Sequence, residues 1–555
     1  MSVRRFCSST FAGIFSRILA FTFLAGLCAQ AQTFTVLYDA TGGSDISNPA
    51  SHLVAQGRDG NMYFTSPNGG TFYGTLFKIT PAGKTTIYDV DGFPVSGATL
   101  GSDGNFYVTD QDEGPGGNCG FSGCGQVLKI TSGGTQTVLY NFKGESDGSS
   151  PQAAPVEATN GVYYGTTLSD GNSDSSSTAY SITSSGTFTT LHIFASTEGS
   201  GIGAELLQAS DGNLYGMANS GGANGFGSIF KMTLAGTVTV LHSFDNSDGA
   251  NPCCGLIEGT DGNLYGATSN GGAYGYGTIF KITLGGTYTD LHDINPANGD
   301  GQHPGSTLTQ GSDGKLYGVT STGTDGVNGT LFNMTTSGTF KTLYTFCTDG
   351  TCTDGSGPSS PLKQNTNGIF YGSTYDGGDL SCGNSTGCGN VYSLNMGLKA
   401  FASLTSTSAD EGAKVGILGQ GFSKSSAVAF DGVKATAVTL SGSTYLSATV
   451  PSGALTGAVT VTTGSTVLTT PQTFKVLPTL KSFSPTSGAV GTVVTLTGTG
   501  LQQTTKVTFD SKSASFTVVS DTEVTATVPT GAKTGKIAIT TKGGSVTSAT
   551  NFTVN

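Results

Sequence analysis

The sequence predicts an all-β protein: a seven-bladed β-propeller followed by two immunoglobulin-like β-sandwiches. Three observations support this prediction. A short phrase such as ASDGNLYGMA recurs at a period of about fifty residues, each copy holds about four short alternating runs separated by turn residues, and the 555 residues include 87 Gly. Alternating runs between Gly, Asn, Asp and Ser are typical of β-strands, and four such strands per repeat are typical of a propeller blade.

Each copy is anchored on the residue that precedes the Gly of a tight turn. The seven anchors are Asp59, Asp103, Asn160, Asp211, Asp261, Asp313 and Asn367. Asp-Gly and Asn-Gly tolerate the positive φ of a hairpin turn, so we expect the anchor to join two strands, A and B. Phrases such as GTIFKIT predict strand C, and phrases such as TVLY or TTLH predict strand D.

The two ends of the repeat array predict that it closes into a ring over residues 32–396. The array begins with a lone strand D, residues 33–40, and it finishes with strands A, B and C of the seventh copy. The counts of strands balance if the first strand completes the last blade. Closure also removes exposed sheet edges, which invite aggregation.

From about residue 397 the sequence pattern changes to longer alternating runs that are rich in Val, Thr and Ser. LSATVPSGALTGAVTV at 446 parallels VTATVPTGAKTGKIAI at 524, which predicts two similar domains, residues 397–476 and 477–555. Six or seven strands in each suit an immunoglobulin-like sandwich.

Residues 1–31 have the pattern of a cleaved signal peptide, with arginines before an apolar run, Ile18–Leu27, and small residues at AQA. The run is too short to span a bilayer. We therefore expect a secreted or cell-surface protein without a transmembrane segment in the mature chain. The formal charge of −12 and the lack of a basic cluster in the mature chain argue against nucleic acid as a partner.

Eight cysteines remain after the predicted cleavage, which suits an oxidising compartment. Three pairs lie close in sequence and are predicted to be disulfides: Cys119 with Cys124, Cys347 with Cys352, and Cys382 with Cys388. Cys253 and Cys254 are adjacent, and form either a vicinal disulfide or two thiols. Zinc is the competing interpretation, but the spacings are not those of structural zinc sites.

Two resemblances attach to these motifs. The linked phrases GSDGNLYG, FKIT and LH-x-F resemble the GloVer tandem repeat of bacterial "choice-of-anchor" secreted proteins. The tail, through PTSGAVGT, TGTGL and ATVP, resembles two IPT/TIG domains. The first resemblance implies an exported protein without an established activity, and it supplies no catalytic residues. The second implies domains found in surface receptors, extracellular enzymes and some transcription factors.

Candidate ligand-binding residues lie in two places. Phe226, Tyr274 and Tyr276 lie in Gly-rich loops between strands B and C, where an aromatic ring can stack on a sugar, although packing within the loop is the alternative. Glu157 and Glu258 lie three residues before their anchors, where most other copies have Gln. These side chains either line a central channel or satisfy backbone groups of the innermost strands.

Other repeated residues suit packing better than chemistry. The strand B tyrosines recur in all seven copies, and His192, His242 and His292 stand where other copies have Tyr in strand D. We expect both sets to pack. The acidic loops between strands D and A could hold Ca²⁺, but Asp, Asn, Ser and Gly also dominate ordinary turns, so no cofactor or metal is predicted.

The sequence favours a non-enzymatic binding protein whose repeated loops present a multivalent face to an extracellular polysaccharide or envelope component. The alternatives are a purely structural envelope protein and a propeller polysaccharide lyase or hydrolase. An enzyme should show one blade with unmatched His, Arg, Tyr or carboxylate residues, and no such blade stands out. The sequence leaves the oligomeric state open.

Overall fold

The computed structural model of the chain describes residues 32–71, 73–114, 119, 123–144, 146–170, 176–323, 328–382 and 386–555, with the backbone alone at residue 73. The predicted signal peptide lies outside these residues. The described part is built of β-strands, with one 3₁₀ turn at Pro296–Asn298, so the all-β prediction is confirmed. No helix in it is long and apolar enough to cross a membrane.

The repeat region forms seven antiparallel sheets, numbered in chain order. Before them comes β1 (Thr33–Asp39), and a two-stranded ribbon of β2 (Ile46–Ser47) and β5 (Asn68–Gly69) lies beside the first sheet. Sheet 1 contains β3 (Ala55–Gln56), β4 (Met62–Ser66), β6 (Tyr73–Ile79) and β7 (Thr85–Asp91). Sheet 2 contains β8 (Thr99–Leu100), β9 (Phe106–Asp110), β10 (Gln126–Ile130) and β11 (Gln136–Asn141). Sheet 3 contains β12 (Val156–Glu157), β13 (Tyr163–Thr167), β14 (Thr178–Ile182) and β15 (Phe188–Ile193).

The remaining sheets of the repeat region follow the same order. Sheet 4 contains β16 (Leu207–Gln208), β17 (Leu214–Ala218), β18 (Ser228–Met232) and β19 (Val238–Ser243). Sheet 5 contains β20 (Ala250–Pro252), β21 (Ile257–Glu258), β22 (Leu264–Asn270), β23 (Thr278–Ile282) and β24 (Tyr288–Asp293). Sheet 6 contains β25 (Gln302–Pro304), β26 (Thr309–Gln310), β27 (Leu316–Thr322), β28 (Thr330–Met334) and β29 (Phe340–Thr345). Sheet 7 contains β30 (Ser356–Pro358), β31 (Lys363–Gln364), β32 (Phe370–Asp376) and β33 (Asn390–Asn395).

Each sheet shares an apolar core with the next sheet in the chain. Met217 of sheet 4 and Phe280 of sheet 5, for example, belong to one buried cluster, and six such clusters connect sheets 1 to 7 in succession. A seventh cluster joins Val391 of sheet 7 to Phe77 of sheet 1. The sheets therefore succeed one another in a circle, a β-propeller-like arrangement that we call the ring.

The first and last strands of the repeat region meet where the circle closes. Strand β1 pairs antiparallel with β33, so it is the outermost strand of sheet 7. The Phe34 ring stacks on Tyr344 of sheet 6, with ring centroids 4.0 Å apart.

Between sheets 7 and 1, Gly389 of sheet 7 has a positive φ of 78° and lies against Pro49 of the segment before sheet 1. A side chain at Gly389 would meet that proline.

The same glycine–proline contact recurs at most sheet boundaries. A glycine at or just before the start of strand C lies against a proline before strand A of the next sheet in Gly74–Pro94, Gly125–Pro151, Gly227–Pro252, Gly277–Pro304 and Gly329–Pro358. The contact is therefore a property of the repeat, and it fixes how closely consecutive sheets approach.

The tail forms two further units, each with two main sheets around its own apolar core. The first unit contains β34 (Ser403–Leu404), β35 (Ser408–Ala409), β36 (Lys414–Leu418), β37 (Ala427–Phe430), β38 (Val433–Lys434), β39 (Val438–Ser441), β40 (Tyr445–Thr449), β41 (Val459–Thr463), β42 (Thr466–Thr469) and β43 (Lys475–Val476). The second contains β44 (Thr479–Ser484), β45 (Ser487–Gly488), β46 (Val493–Thr499), β47 (Thr504–Phe509), β48 (Lys512–Ser513), β49 (Phe516–Ser520), β50 (Glu523–Thr527), β51 (Gly535–Thr541) and β52 (Gly544–Val554).

The first tail unit contacts the turns between strands A and B of three sheets. The Thr444 hydroxyl donates to the carbonyl of Arg58 in sheet 1 at 2.7 Å, and Gln420 Nε2 donates to Thr366 Oγ1 in sheet 7 at 3.0 Å. Lys475 Nζ donates to the carbonyl of Ser210 in sheet 4 at 2.9 Å. Because sheet 4 lies across the ring from sheets 7 and 1, this unit covers the centre of the ring on the A–B turn side.

Deletion of Thr33–Asp39 should lower the melting temperature of the full chain by at least about 5 °C, because sheet 7 loses its outer strand and the core loses Phe34. Differential scanning calorimetry would measure the change. A synthetic peptide of residues 32–41 added in trans should recover part of the loss. An unchanged melting temperature after deletion would contradict the role of β1.

Candidate functional site

The repeated Asp of the turn phrase is a hydrogen-bond acceptor that holds the A–B hairpin together. Asp103 accepts from the backbone N–H of Asn105 at 3.0 Å, from its Nδ2 at 2.8 Å and from the Tyr107 hydroxyl at 3.0 Å. Lys129 Nζ of strand C lies 2.7 Å from the same carboxylate. Comparable contacts surround Asp59, Asp211, Asp261 and Asp313. The repeated phrase therefore has a structural role.

The two copies with Asn at the anchor also lack the strand C lysine. Asn160 accepts from the backbone N–H of Val162 at 3.1 Å and donates to the Tyr164 hydroxyl at 2.9 Å. The strand C residue opposite that tyrosine is Ser181 instead of Lys. Asn367 likewise faces a strand C serine. Where the carboxylate is absent, the strand C lysine is absent too, but Asp313 keeps its carboxylate with Asn333 at the lysine position.

The strand B tyrosines are buried packing residues, as predicted. All seven are at most 3 % exposed, and they are Tyr63, Tyr107, Tyr164, Tyr215, Tyr265, Tyr317 and Tyr371. Tyr107 stacks on Tyr163 of the next sheet with ring centroids 3.8 Å apart. Because these tyrosines are buried between neighbouring sheets, neither face of their rings is accessible to a ligand.

Glu157 and Glu258 belong to a set of side chains that join neighbouring sheets. The Ser102 backbone N–H of sheet 2 donates to Glu157 Oε2 at 2.6 Å, and the Ser210 N–H of sheet 4 donates to Glu258 Oε2 at 2.8 Å. The Gln residues at the same repeat position accept in the same way: Gln56 from Thr366, Gln208 from Thr159, Gln310 from Thr260 and Gln364 from Ser312. These contacts match the backbone alternative, and a ligand role for the two glutamates stays a prediction.

The seventh position of this set is Leu100, which has no acceptor, and the turn facing it is also different. Arg58 stands where the other turns have Ser or Thr. Its Nη2 donates to the Ser102 carbonyl at 2.5 Å, and its guanidinium lies 4.4 Å from the centre of the Tyr445 ring. A polar cleft of about 770 Å³ opens beside it, lined by anchors Asp59 and Asp103 among others. Because those carboxylates already accept hydrogen bonds within their own turns, we interpret the cleft as a gap between the packed ring and first tail unit.

The acidic loops between strands D and A use their carboxylates internally. His242 Nε2 lies 2.7 Å from Asp248 Oδ2, and the backbone N–H of Asp245 donates to Asp248 Oδ1 at 3.0 Å. The same arrangement joins Tyr38 to Asp45, Tyr140 to Asp147, His192 to Glu198, His292 to Asp300 and Tyr344 to Asp354. The sequence predicted packing for these His and Tyr residues, but it did not predict their acidic partners. Within the described ranges, no group of three or more His, Cys, Asp or Glu could hold a metal ion.

The loops between strands B and C carry exposed aromatic side chains. Phe226 is 38 % exposed and Tyr274 is 53 % exposed, whereas Tyr276 is half-buried with its ring centroid 5.8 Å from that of His303. Tyr375 and Leu380, at the same end of sheet 7, are 40 % and 47 % exposed. This end of the ring is opposite to the A–B turns that contact the first tail unit, because successive antiparallel strands alternate in direction. We call it the open face.

The sulfur atoms of all four cysteine pairs lie at disulfide distance. The Cα–Cα distances are 5.3 Å for Cys119–Cys124, 4.1 Å for Cys347–Cys352 and 5.8 Å for Cys382–Cys388. Each pair spans a loop on the open face, so each would brace a single loop. Cys253 and Cys254 are brought together in the segment that leads into β21.

Three ionisable residues interrupt the repeat in strand A segments, although the sequence did not mark them as candidates. His52, Glu205 and Lys363 belong to strand A segments of sheets 1, 4 and 7, and the residues at the equivalent positions of the other sheets are uncharged. The signal was present in the sequence as a departure from the repeat, but it was spread over three copies instead of one.

Comparisons with known families agree with these repeats. A model of the Gloeobacter/Verrucomicrobia repeat matches residues 26–208 and 154–386, and a model of the IPT/TIG domain matches residues 478–554. The chain belongs to the Gloeobacter/Verrucomicrobia repeat family. The IPT/TIG match falls on the second tail unit of this repeat-family protein. No curated protein matches the chain significantly.

Solved structures resemble this repeat-family protein only distantly. A fungal alcohol oxidase is 12 % identical over 94 % of this chain and 99 % of its own, with a TM-score of 0.41. A luciferin-regenerating enzyme is 14 % identical over 67 % and 98 %, with a TM-score of 0.36. A surface glycan-binding protein from Prevotella bryantii is 19 % identical over 26 % and 38 %, with a TM-score of 0.21. At such values none of them bears on what this protein binds.

Asp103→Asn should destabilise the chain at pH 7 by about 1 kcal/mol or less, because Lys129 loses its partner on a partly exposed surface. Burial alone would raise the pKa of Asp103, but hydrogen bonds from Lys129, Asn105 and Tyr107 lower it from 3.8 to about 2. The stability that the carboxylate contributes is therefore present above pH 3.8 and lost as the pH falls through about 2.

Urea unfolding at several pH values would test this prediction. The difference in unfolding free energy between Asp103→Asn and the wild type should become smaller towards pH 2. The double variant Asp103→Asn with Lys129→Ser should recover part of the lost stability, because it recreates the natural copies that have Asn and Ser. A gap that does not change with pH, or a double variant no better than the single one, would count against the charge pair.

Reduction of the loop cysteines should leave the fold intact. Each pair closes a loop of very few residues, worth roughly 2 kcal/mol by loop entropy, and none links two sheets. Peptide mapping without reductant should recover Cys119–Cys124, Cys347–Cys352 and Cys382–Cys388. Free thiols or pairing between distant loops would disprove this assignment, and circular dichroism before and after reduction gives the control.

Proposed function

We propose that this protein is a secreted, non-enzymatic binding protein in which a closed seven-bladed β-propeller, residues 32–396, presents its open face to an extracellular polysaccharide. Residues 397–476 and 477–555 would be two immunoglobulin-like IPT/TIG domains that carry the propeller. The predicted signal peptide and the cysteine pairs at disulfide distance support secretion.

The clustering of exposed rings on the open face carries the proposal. Among described residues of the ring, six large apolar side chains are well exposed, and four of them lie at this end: Phe226, Tyr274, Tyr375 and Leu380. Aromatic rings on glycine-rich loops can meet the apolar face of a sugar without obstruction, and stacking of this kind suits a neutral polymer. The net charge of −12 disfavours polyanions.

The position of the tail also supports the open face as the binding surface. The first tail unit contacts the A–B turns, so the side that carries the aromatic loops remains accessible to a large polymer. Because seven similar sheets surround the ring, several weak contacts can act together, and linked sites gain roughly 10²–10⁴ in avidity without new contacts. Loops on a rigid scaffold are also the usual place for binding.

Replacement of Phe226, Tyr274 and Tyr276 with Ala should weaken binding to a neutral polysaccharide, found first on a glycan array, by about tenfold or more. Three stacking contacts worth roughly 0.5–1.5 kcal/mol each account for that loss. Biolayer interferometry with the immobilised polymer gives the measurement.

The matched control is Val138→Ala with Ile193→Ala, two exposed apolar residues on the outermost strands of sheets 2 and 3. This control should bind as the wild type does. Equal affinity of the triple variant and the wild type would refute the open face as the binding surface. Melting curves of both variants check that the fold is preserved.

A further inference from the structure

His303 interrupts a repeated position at the open face. It directly precedes Pro304, one of the prolines that lie between sheets, and the residues before three of the equivalent prolines are Asn48, Asn251 and Gly357. All four residues have a positive φ, between 52° and 59°. The backbone is thus the same in these copies, and the side chain is the part that differs.

The Asn and His side chains at this position share one contact. Each donates to a backbone carbonyl at or next to the end of strand B in the preceding sheet. The donors and carbonyls are Asn48 with Tyr375, Asn251 with Asn219, and His303 with Ser269. The Nδ1 of His303 lies 2.7 Å from its carbonyl oxygen. Because a carbonyl oxygen can only accept, Nδ1 carries the proton of this hydrogen bond.

The second polar atom of the side chain is used in the two Asn copies but not in His303. Asn48 Oδ1 accepts from the hydroxyl of the neighbouring Ser47, and Asn251 Oδ1 accepts from Asn270 Nδ2 at 3.2 Å. No described residue forms a hydrogen bond with His303 Nε2. This nitrogen is accessible to solvent, since it is not one of the buried polar atoms that lack a partner. The neutral ring therefore presents a lone pair at Nε2.

The strand D histidines show what a fully engaged imidazole looks like in this protein. Their Nε2 atoms lie 2.7–2.8 Å from carboxylate oxygens, in the pairs His192 with Glu198, His242 with Asp248 and His292 with Asp300. Within the described ranges no acidic side chain pairs with His303 in this way. The lone pair of His303 is therefore available to a ligand.

Two tyrosines stand beside this histidine. The His303 N–H donates to the Tyr276 carbonyl at 3.0 Å, and the two ring centroids are 5.8 Å apart. The Tyr276 ring also packs against the core that joins sheets 5 and 6, so its position is fixed. Tyr274, two residues earlier in the same loop, is 53 % exposed. A fixed hydrogen-bond acceptor thus lies next to one fixed and one exposed aromatic ring.

The boundary between sheets 4 and 5 has the same backbone with different side chains. There Asn251 takes the place of His303, and its N–H donates to the carbonyl of Phe226, the equivalent of Tyr276, at 3.0 Å. Asn224 takes the place of Tyr274, and its Nδ2 donates to the Phe244 carbonyl at 3.2 Å. The amide groups of this copy are therefore used within the protein, whereas the copy with His303 leaves an acceptor free.

The chemistry of this corner suits a neutral compound that carries hydroxyl groups. A neutral imidazole nitrogen accepts a hydrogen bond from a hydroxyl, whereas a carboxylate has no proton to donate to it. Aromatic rings can lie along the apolar face of a sugar. We propose that Tyr274, Tyr276 and His303 form a subsite for one neutral sugar residue, in which a sugar hydroxyl donates to His303 Nε2. This inference rests on the proposed polysaccharide-binding function and specifies where on the open face one sugar residue is recognised.

Saturation-transfer difference NMR on the full chain tests the subsite with the methyl glycosides of glucose, galactose, mannose and xylose, and with glucuronate as a charged probe. At least one neutral sugar should give saturation transfer with the wild type. His303→Asn, which recreates the residue at Asn251, should weaken its binding by about fivefold or more in titrations, because the acceptor is lost. Ser150→Asn, at the same repeat position before Pro151, is the matched control and should bind normally.

Monodeoxy analogues of the sugar that binds distinguish a direct contact from an indirect effect. One analogue should bind the wild type about fivefold or more weakly than the parent sugar does, because it lacks the hydroxyl that donates to Nε2. His303→Asn should bind this analogue and the parent sugar equally. A purely structural role of His303 would instead weaken the parent sugar and all analogues in the same proportion.

Three outcomes would overturn the proposal: no neutral sugar binds the wild type; glucuronate binds and the neutral sugars do not; or His303→Asn binds the neutral sugar as the wild type does. His303→Gly, which recreates the residue at Gly357, replaces His303→Asn if the melting curve shows that the latter does not fold.

The test separates this subsite from the proposed function, because His303→Asn keeps all three aromatic rings of the open face. Polymer binding that is lost in the triple variant, together with unchanged sugar binding by His303→Asn, would reject the subsite alone. Sugar binding that depends on His303, in a protein that binds no polymer, would reject the proposed function alone.

Discussion

No sheet of the ring buries its own faces, so every sheet depends on its neighbours for a core. Seven apolar clusters each span two consecutive sheets, and the seventh joins sheet 7 to sheet 1. Hydrogen bonds between neighbouring sheets fix the distance between the sheets that share each core. A Gln or Glu on the innermost strand accepts the backbone N–H of the preceding turn, as Gln56 does from Thr366. This contact recurs in six of seven copies and joins each innermost strand to the turn of the preceding sheet.

This dependence separates structural residues from candidates for function. Residues that recur along the repeat, such as the anchor Asp or Asn and the strand B Tyr, are fully engaged in hairpin turns and sheet boundaries. Residues that interrupt the pattern have other contacts. Arg58 stacks on Tyr445 of the tail, and the rings of Phe226 and Tyr274 are exposed on the open face. In a repeat protein, departures from the repeat are therefore the places to look for binding.

The sequence was sufficient wherever the determining contacts are local. Period-2 runs and Asp-Gly turns predicted the all-β structure, and the burial of Tyr63 followed from its recurrence. Contacts between copies were harder to predict. The role of Gln56 depends on Thr366, which is 310 residues away. The sequence therefore could not decide whether Gln56 lines a central channel or satisfies a backbone group. The pairing of His242 with Asp248 was missed because the loop between them had to fold back first. Glu205 escaped notice because its hydrogen-bond partner, Thr307, lies in another copy, 102 residues further along the chain.

The contact of the first tail unit with the ring has a consequence for the number of sheets that the ring can contain. Lys475 reaches the turn of sheet 4 while Gln420 reaches that of sheet 7, so one rigid unit spans a fixed chord of the circle. A circle of six or eight sheets would have a different chord, and one of these two contacts would be lost. The first tail unit thus acts as a gauge for the number of sheets in the ring.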